Sequence, residues 1–190
     1  ITNVDTSNIY QVDADNFVTL IYRSVIFSQS INEYFSIPEG LLVQDDGTLN
    51  NGQIGTFSAT GTTTAEYNGL HEFGLIAPPE AQLSEFVFRT GTINISCNGN
   101  MGHGGSVIVT YPDLTMAGNA LIETINLDVN QNGSASTDIS GYTLDLDNSG
   151  PNSLRVNYSL TVNDNGNGGA PPTEIDVFTT ETMFSNSTMQ

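Results

Sequence analysis

The segment Leu154-Arg155-Val156-Asn157-Tyr158-Ser159-Leu160-Thr161-Val162 decides the fold class of this chain. Apolar residues occupy every second position in it, and polar residues occupy the positions between them. Successive side chains of a β-strand point to opposite faces, so this alternation predicts a strand with one buried face and one solvated face. A similar pattern runs from Leu121 to Val129, where the step from Ile122 to Glu123 breaks the alternation and predicts a β-bulge.

Runs of β-branched and aromatic residues between turn signals predict strands at Glu85–Ser96, Gly105–Tyr111, Ala120–Asn130, Ser134–Leu146, Leu154–Asn163 and Thr173–Thr180. The composition agrees, because the 22 Thr favour pleated surfaces while the 21 Asn and 19 Gly favour tight turns. We therefore predict an all-β fold, an antiparallel β-sandwich of the jelly-roll or immunoglobulin-like (Ig-like) type.

The N-terminal part of the chain is less regular. The segment Phe17–Phe27 fits the period of a strand and also that of a helix, which Asp15 or Asn16 would cap. A short N-terminal helix therefore stays open as an alternative to a strand. We predict a single sandwich domain over residues 1–190, with an irregular part at 1–83 and a regular β part at 84–181.

Turn residues predict the connections. A short strand is expected at Gln53–Ala59, directly after the turn signal Asn50-Asn51-Gly52. The pair Pro78-Pro79 marks Leu70–Leu83 as a crossing loop. The polar tail after Glu181 is expected to be loose.

The charge of the chain excludes one class of partner. The 21 acidic residues, together with three arginines and no lysine, give a formal net charge of -18. Proteins bind nucleic acid mainly by neutralising phosphates with Lys and Arg, so nucleic-acid binding is excluded. The longest apolar run, Phe17–Phe27, is interrupted by Arg23 and is shorter than the ~18 residues of a membrane helix. No membrane insertion is expected.

An acidic chain rich in Thr, Asn and Gly is typical of an extracellular or cell-surface β-protein. The start at Ile1, without an initiator Met, fits a processed chain or a fragment of a longer one. Cys97 is the single cysteine, and we expect it to be a small buried apolar residue, with an intermolecular disulfide as the alternative.

Asp128, Asn130 and Asn132 place oxygen-bearing side chains at the first, third and fifth positions of a turn, with glycine at the sixth. This spacing resembles the first half of the calcium loops of dockerins and EF-hands. The twelfth position is Ile139, and Asp138 stands one residue before it. The candidate metal ligands are therefore Asp128, Asn130, Asn132 and Asp138, with a plain Asn-Gly hairpin connection as the alternative.

The run Asn163–Gly168 has similar spacing, with Glu174 at its twelfth position. The segment from Glu174 to Glu181 also resembles, in its first half, the catalytic strand of laminarinase-like glycoside hydrolases, whose acidic residues alternate on one face. This resemblance implies Glu174 and Asp176 as the candidate catalytic residues of an enzyme fragment whose partner residues lie elsewhere in a longer protein. Phe178 stands at the place of the third acid, so we expect the chain not to be an enzyme.

Two functions remain. The first is a non-enzymatic structural or adhesive β-module of a secreted, cell-surface or filamentous assembly, which contacts protein partners or copies of itself through strand edges. The lack of lysine, a usual guard against edge pairing, supports it, and Phe17–Phe27 would be a donated strand. The alternative is a calcium-assisted carbohydrate- or ligand-binding module, in which a glycan stacks on tyrosine rings: Tyr22, Tyr67, Tyr111 or Tyr142. Calcium is the one candidate cofactor, and we favour the first function.

Overall fold

The computed structural model describes residues 10–12, 18–20, 41–72, 84–146, 153–164 and 170–189. The chain divides into two compact units, residues 1–30 and 31–190. In the first unit, β1 (Tyr10–Val12) pairs antiparallel with β2 (Val18–Leu20). The segment Phe17–Phe27 is thus a strand at β2, and the rest of it lies outside the described residues.

The second unit is built from strands and one helix in its described part. These elements are β3 (Leu41–Thr48), α1 (Asn51–Thr60), β4 (Thr62–Glu72), β5 (Glu85–Gly99), β6 (Gly104–Met116), β7 (Asn119–Leu127), β8 (Gly133–Asp138), β9 (Thr143–Asp145), β10 (Ser153–Asn163) and β11 (Val177–Met189). Within the described ranges, no helix is long and apolar enough to cross a membrane.

The strand pairing is that of a jelly roll. Four antiparallel pairs are nested along the chain: β3 with β11, β4 with β10, β5 with β8, and β6 with β7. The strands of these pairs form two sheets, named the β3 sheet (order β3-β11-β5-β8) and the β4 sheet (order β4-β10-β6-β7). The short strand β9 connects the two sheets, because it pairs with both β5 and β6. The predicted antiparallel sandwich is confirmed, and its nested pairing follows the jelly-roll alternative.

The core lies between the inner faces of the two sheets. The alternation in β10 is confirmed, because Leu154, Val156, Tyr158, Leu160 and Val162 are all buried. Large buried side chains from the other strands complete the core: Phe88, Ile93, Ile95, Tyr111, Leu114, Leu144, Phe178 and Phe184. The sandwich is therefore filled by its own side chains.

The strand predicted at Gln53–Ala59 is wrong, because α1 occupies this segment. The Asn50 side chain accepts a hydrogen bond from the backbone amide of Gln53 at 3.0 Å, and the Gln53 side chain accepts one from the amide of Asn50 at 2.8 Å. This capping box starts the helix, and Gly61 ends it in a left-handed conformation with φ of 72°. Local capping outweighs the strand propensity of this segment.

The β-bulge predicted at Ile122 and Glu123 is also wrong. The register between β6 and β7 is continuous from Gly105 opposite Leu127 to Tyr111 opposite Leu121. Glu123 keeps its place on the inner side because its carboxylate accepts a hydrogen bond from the Thr137 hydroxyl at 2.5 Å. A charged residue therefore faces inward in this strand, and Ile122 faces solvent.

Two other boundaries differ from the predictions. The predicted strand Ser134–Leu146 is two strands, β8 and β9, separated by a turn in which Gly141 has φ of 82°. The tail after Glu181 is not loose, because β11 continues to Met189 and pairs with β5.

Candidate functional site

Three of the predicted calcium ligands lie together in the turn between β7 and β8. Oδ1 of Asp128 accepts hydrogen bonds from the backbone amides of Asn130 and Asn132, at 2.8 and 2.9 Å. These bonds, the one from Asn132 most strongly, hold the pKa of Asp128 below its usual value. One carboxylate oxygen is therefore already used to close the turn.

The turn is anchored to the core by Gln131. This residue is fully buried in a left-handed conformation with φ of 59°, and its Oε1 accepts a hydrogen bond from the amide of Met101 at 2.9 Å. A Cβ on Gly99 would lie 2.2 Å from that oxygen, so only glycine leaves room for it. These contacts stabilise the turn, and calcium ligation by Asp128, Asn130 and Asn132 stays a prediction.

The fourth predicted ligand, Asp138, lies at the opposite end of β8. The strand rises about 3.3 Å per residue, which separates Asp138 from Asn132 by roughly 20 Å. Oδ1 of Asp138 accepts hydrogen bonds from the hydroxyl and the amide of Ser140, at 2.6 and 2.8 Å, and these bonds lower its pKa. The structure does not bring Asp138 to the turn. The described residues contain no group of three or more His, Cys, Asp or Glu side chains placed to hold a metal.

The acids that resemble a hydrolase strand do not share one strand. Glu174 and Asp176 precede β11, which begins at Val177. Oδ2 of Asp176 accepts hydrogen bonds from the amide and hydroxyl of Thr173, at 2.7 and 3.0 Å, in a closed turn. Glu181 lies within β11. The calcium-like run that begins at Asn163 lies partly outside the described residues.

A polar cluster connects the two sheets where β3 faces β4. Oδ2 of Asp45 accepts a hydrogen bond from the Tyr158 hydroxyl at 2.5 Å and lies 2.8 Å from Nε2 of His71. Gly69 makes room for this contact, because a Cβ there would lie 2.3 Å from Oδ1 of Asp45. Sequence reasoning missed the cluster, whose members come from three separate strands.

Two of the predicted glycan platforms, Tyr67 and Tyr111, point into the sandwich instead. The Tyr67 ring stacks on Tyr158 with centroids 4.7 Å apart, and the Tyr111 hydroxyl lies 2.7 Å from that of Thr182. Burial raises the pKa of all three phenols, and the Asp45 carboxylate raises that of Tyr158 further. Tyr142 is half-buried against the core, and Tyr22 lies outside the described residues.

Two more buried groups have structural partners. Asp113 is fully buried, and both of its oxygens contact the Arg155 guanidinium, with Nε at 3.1 Å from each. Nε2 of His103 lies 3.0 Å from the carbonyl of Ala170. Cys97 is buried as predicted, and burial raises the pKa of its thiol to about 11. These contacts hold the fold together and leave no reactive group exposed among these residues.

The outer faces of the sheets carry two shallow grooves. One crosses the β3 sheet, where Asn94 accepts a hydrogen bond from Ser136 at 2.8 Å and donates one to Ser185 at 2.9 Å. The other crosses the β4 sheet and is lined by residues of β4, β6 and β10: Glu66, Asn68, Ile108, Thr110, Asn157, Tyr158 and Ser159. Both grooves are open and mix uncharged polar residues with apolar ones, and each contains one acid, Glu181 in the first groove and Glu66 in the second.

Apolar side chains are exposed beside the second groove. Ile108 on β6 and Ile122 on β7 are 41% and 58% exposed, and Leu70 on β4 is 58% exposed. Ile122 lies opposite Thr110, so it is a diagonal neighbour of Ile108 on the outer face. The outer face of the β4 sheet thus combines Ser, Thr and Asn with exposed aliphatic groups, on a chain of net charge -18.

No known protein family matches the chain, and no curated protein matches it. Among solved structures, the chain is similar to a chain of the "CryoEM structure of Mud Crab Dicistrovirus". The two share 11% sequence identity, with a TM-score of 0.29, over 100% of this chain and 94% of the other. The description of the fold rests on the strand pairing alone.

Proposed function

We propose that this chain is a non-enzymatic structural β-module that acts through protein–protein contacts in an extracellular or cell-surface assembly. Jelly-roll sandwiches serve as shell subunits, as lectins and as cupin enzymes, so the fold does not choose among these roles. The choice depends on which surfaces of this molecule offer contacts.

The outer face of the β4 sheet carries the proposal. Its described positions on β4, β10, β6 and β7 are mostly Ser, Thr and Asn, with Ile108, Ile122 and Leu70 exposed among them. The same face carries the charged residues Glu66, Glu72 and Arg155. Exposed aliphatic groups among mostly uncharged polar residues are typical of a protein contact site. Many acids lie in turns or face inward instead, as Asp128, Asp138 and Asp113 do.

The filled interior supports a contact surface over an internal ligand site. Phe88, Phe178, Phe184 and Tyr111 are fully buried between the sheets. A small ligand held inside the sandwich would have to displace such side chains, whereas the outer faces are open. Contact through the outer surface therefore requires the least change in the packed structure.

The net charge predicts how assembly depends on salt. Like charges repel single copies at low ionic strength, and this repulsion is screened within about 8 Å at 0.15 M salt. We expect the weight-average mass of the purified chain to grow with concentration at physiological salt and to fall at low salt. Sedimentation equilibrium over a range of concentrations and salt tests this. A chain that stays monomeric in every condition would contradict self-assembly.

The purified chain also allows a test of the adhesive role. An adhesive module binds a surface partner without first associating with itself, so a monomeric chain that binds immobilised glycans would point to the ligand-binding alternative. Association of the chain with itself, without glycan or calcium, supports the structural role.

A further inference from the structure

We propose that β7 is the edge through which two copies of this chain join, antiparallel, with Ile122 of one copy opposite Ile122 of the other. The two β4 sheets then form one continuous sheet across the contact. This inference rests on the proposed function and names the partner as a second copy.

The edge of β7 is open in the described structure. Among the described strands, β7 pairs with β6 only. It has nine residues and contains neither proline nor lysine, the residues that commonly block edge pairing. An unpaired edge of this length presents a row of amides and carbonyls to another strand.

The other three edges are less suitable. Gln53 of α1 donates a hydrogen bond to the carbonyl of Thr64 at 3.1 Å, so the helix covers part of β4. The β3 edge carries Asp45 and Asp46, and β8 has only six residues. Charge, a covering helix or a short edge protects each of them, as in other β-proteins.

Charge favours a second copy as the occupant of β7. The only charged residue of β7, Glu123, faces inward and accepts a hydrogen bond from Thr137. The neighbouring outer positions are uncharged: Ser106, Ile108, Thr110, Thr124 and Asn126. The exposed acids of this face, Glu66 and Glu72, lie on β4 at the opposite edge of the sheet, so a basic partner would find no exposed acid on the outer face of β6 or β7. A second copy, which carries the same -18 charge, can approach an uncharged surface with the least repulsion.

The sequence of β7 selects the register. In one continuous sheet, the outer-face side chains of one copy must lie beside outer-face side chains of the other copy. The two-fold axis therefore passes between two copies of the same β7 residue. An axis at Glu123 would place two carboxylates opposite each other, which is destabilising. An axis at Thr124 would require the backbone of Asn126 to pair with the second copy. The carbonyl oxygen of Asn126 already lies against Gly133 of β8, where an added Cβ would be 2.7 Å from it. An axis at Ile122 pairs residues 119–125 and avoids both problems.

This register also gathers the exposed aliphatic groups. It places the two Ile122 side chains in direct contact across the axis, with Ile108 of each copy on the adjoining strand. Aliphatic pairs opposite each other on a sheet face stabilise pairing, and their burial removes the largest exposed apolar side chains of this region from water.

Ile122→Glu tests the inference, with Leu70→Glu as the matched control. Both side chains are 58% exposed on the outer face of the same sheet, but they lie on opposite edges. In sedimentation equilibrium we expect Ile122→Glu to raise the dimer Kd roughly tenfold or more, and Leu70→Glu to change it by less than about twofold. Thermal melting of each variant establishes that it is folded, and Ile122→Thr, which keeps strand propensity, should weaken the dimer to a smaller degree.

Equal effects of Ile122→Glu and Leu70→Glu on an associating chain would overturn the β7 contact and leave the proposed structural function standing. A parent chain that is monomeric at every concentration and salt would overturn the β7 contact and also the self-assembly expected under the proposed function.

Discussion

The Tyr158 hydroxyl in the β4 sheet donates a hydrogen bond to the Asp45 carboxylate in the β3 sheet, at 2.5 Å. The two residues are 113 positions apart in the sequence, and the bond crosses from one sheet to the other. Asp45 also contacts His71 at 2.8 Å. A partly buried carboxylate with two partners on the facing sheet fixes how the sheets meet on the side of β3 and β4.

We expect Tyr158→Phe to lower the free energy of unfolding by about 1.5–3 kcal/mol, the usual contribution of a hydrogen bond to a charged group. The ring stack on Tyr67 would be retained. Urea denaturation measures the loss. Tyr67→Phe is the control, because its hydroxyl lies at the longer distance of 3.5 Å from Thr180, and we expect a smaller loss. Equal losses in the two variants would contradict a special role of the Asp45 contact.

Stability should fall in alkaline solution. Burial raises the pKa of Tyr67, Tyr111 and Tyr158 in the folded state, whereas the unfolded chain titrates near the ordinary value of about 10. The folded state therefore holds more protons above that pH. The contribution of the three tyrosines is complete below about pH 10 and is lost as the pH rises, by up to about 1.4 kcal/mol per pH unit for each tyrosine. The buried Cys97 thiol, whose pKa is raised to about 11, adds a loss that begins near pH 9.

Urea denaturation at a series of pH values from about 8 to about 11 measures this slope. Tyr158→Phe should reduce the slope, because it removes one of the three phenols. A free energy of unfolding that does not change over this range would show that the phenols titrate normally.

The strands of this fold could be predicted because their signals are local. Alternation in Leu154–Val162 and turn residues at regular spacing depend on side-chain periods and backbone conformations that the chain states directly. The jelly-roll pairing itself depends on contacts between distant strands, such as β3 with β11, and the sequence left it open beside an Ig-like sandwich.

The misses have physical causes. Asn50 and Gln53 form a capping box that the sequence already contains, but α1 buries only Phe57, so it has no amphipathic period to reveal it. In β7 the apolar Ile122 faces solvent and the charged Glu123 faces inward, the reverse of the usual pattern, because Thr137 on another strand binds the Glu123 carboxylate. Contacts between residues on different strands, such as this one, cannot be predicted from the spacing of residue types along the sequence.

Among the candidate sites too, local features could be predicted from the sequence and contacts between distant residues could not. The turn at Asp128 was found from its residue types, and its three polar residues do lie together. Asp138 stands one residue before the closing position of the calcium-loop spacing, but the extended β8 carries it to the far end of the strand. The Asp113–Arg155 pair was missed, since its partners are 42 residues apart.

Removal of Arg155 should destabilise the fold more than removal of the whole ion pair. Asp113 is fully buried, and Arg155→Met would remove the guanidinium from its carboxylate while leaving the hydrogen bond from the backbone amide of residue 155, at 2.9 Å. We expect a loss of about 3 kcal/mol, at the low end of the range for a broken buried pair because Arg155 is 41% exposed. Asp113→Asn combined with Arg155→Met should lose less than Arg155→Met alone, since no buried charge remains.

A double-mutant cycle in urea measures both losses and their coupling. Losses that simply add would mean that the two side chains act independently, which would contradict the ion pair as the reason for the cost.

The turn at Asp128 should behave as a structural turn and not as a calcium site. Its Oδ1 already accepts the amides of Asn130 and Asn132, and an Asn side chain at this position can accept the same bonds without charge. We expect Asp128→Asn to keep the Tm of the parent chain and Asp128→Ala to lower it, with calcium at about 1 mM changing neither. Calorimetry with calcium and with a chelator measures this. A rise in the parent's Tm with calcium that Asp128→Asn abolishes would establish calcium binding at this turn, because only the charged side chain would then be stabilised by the metal.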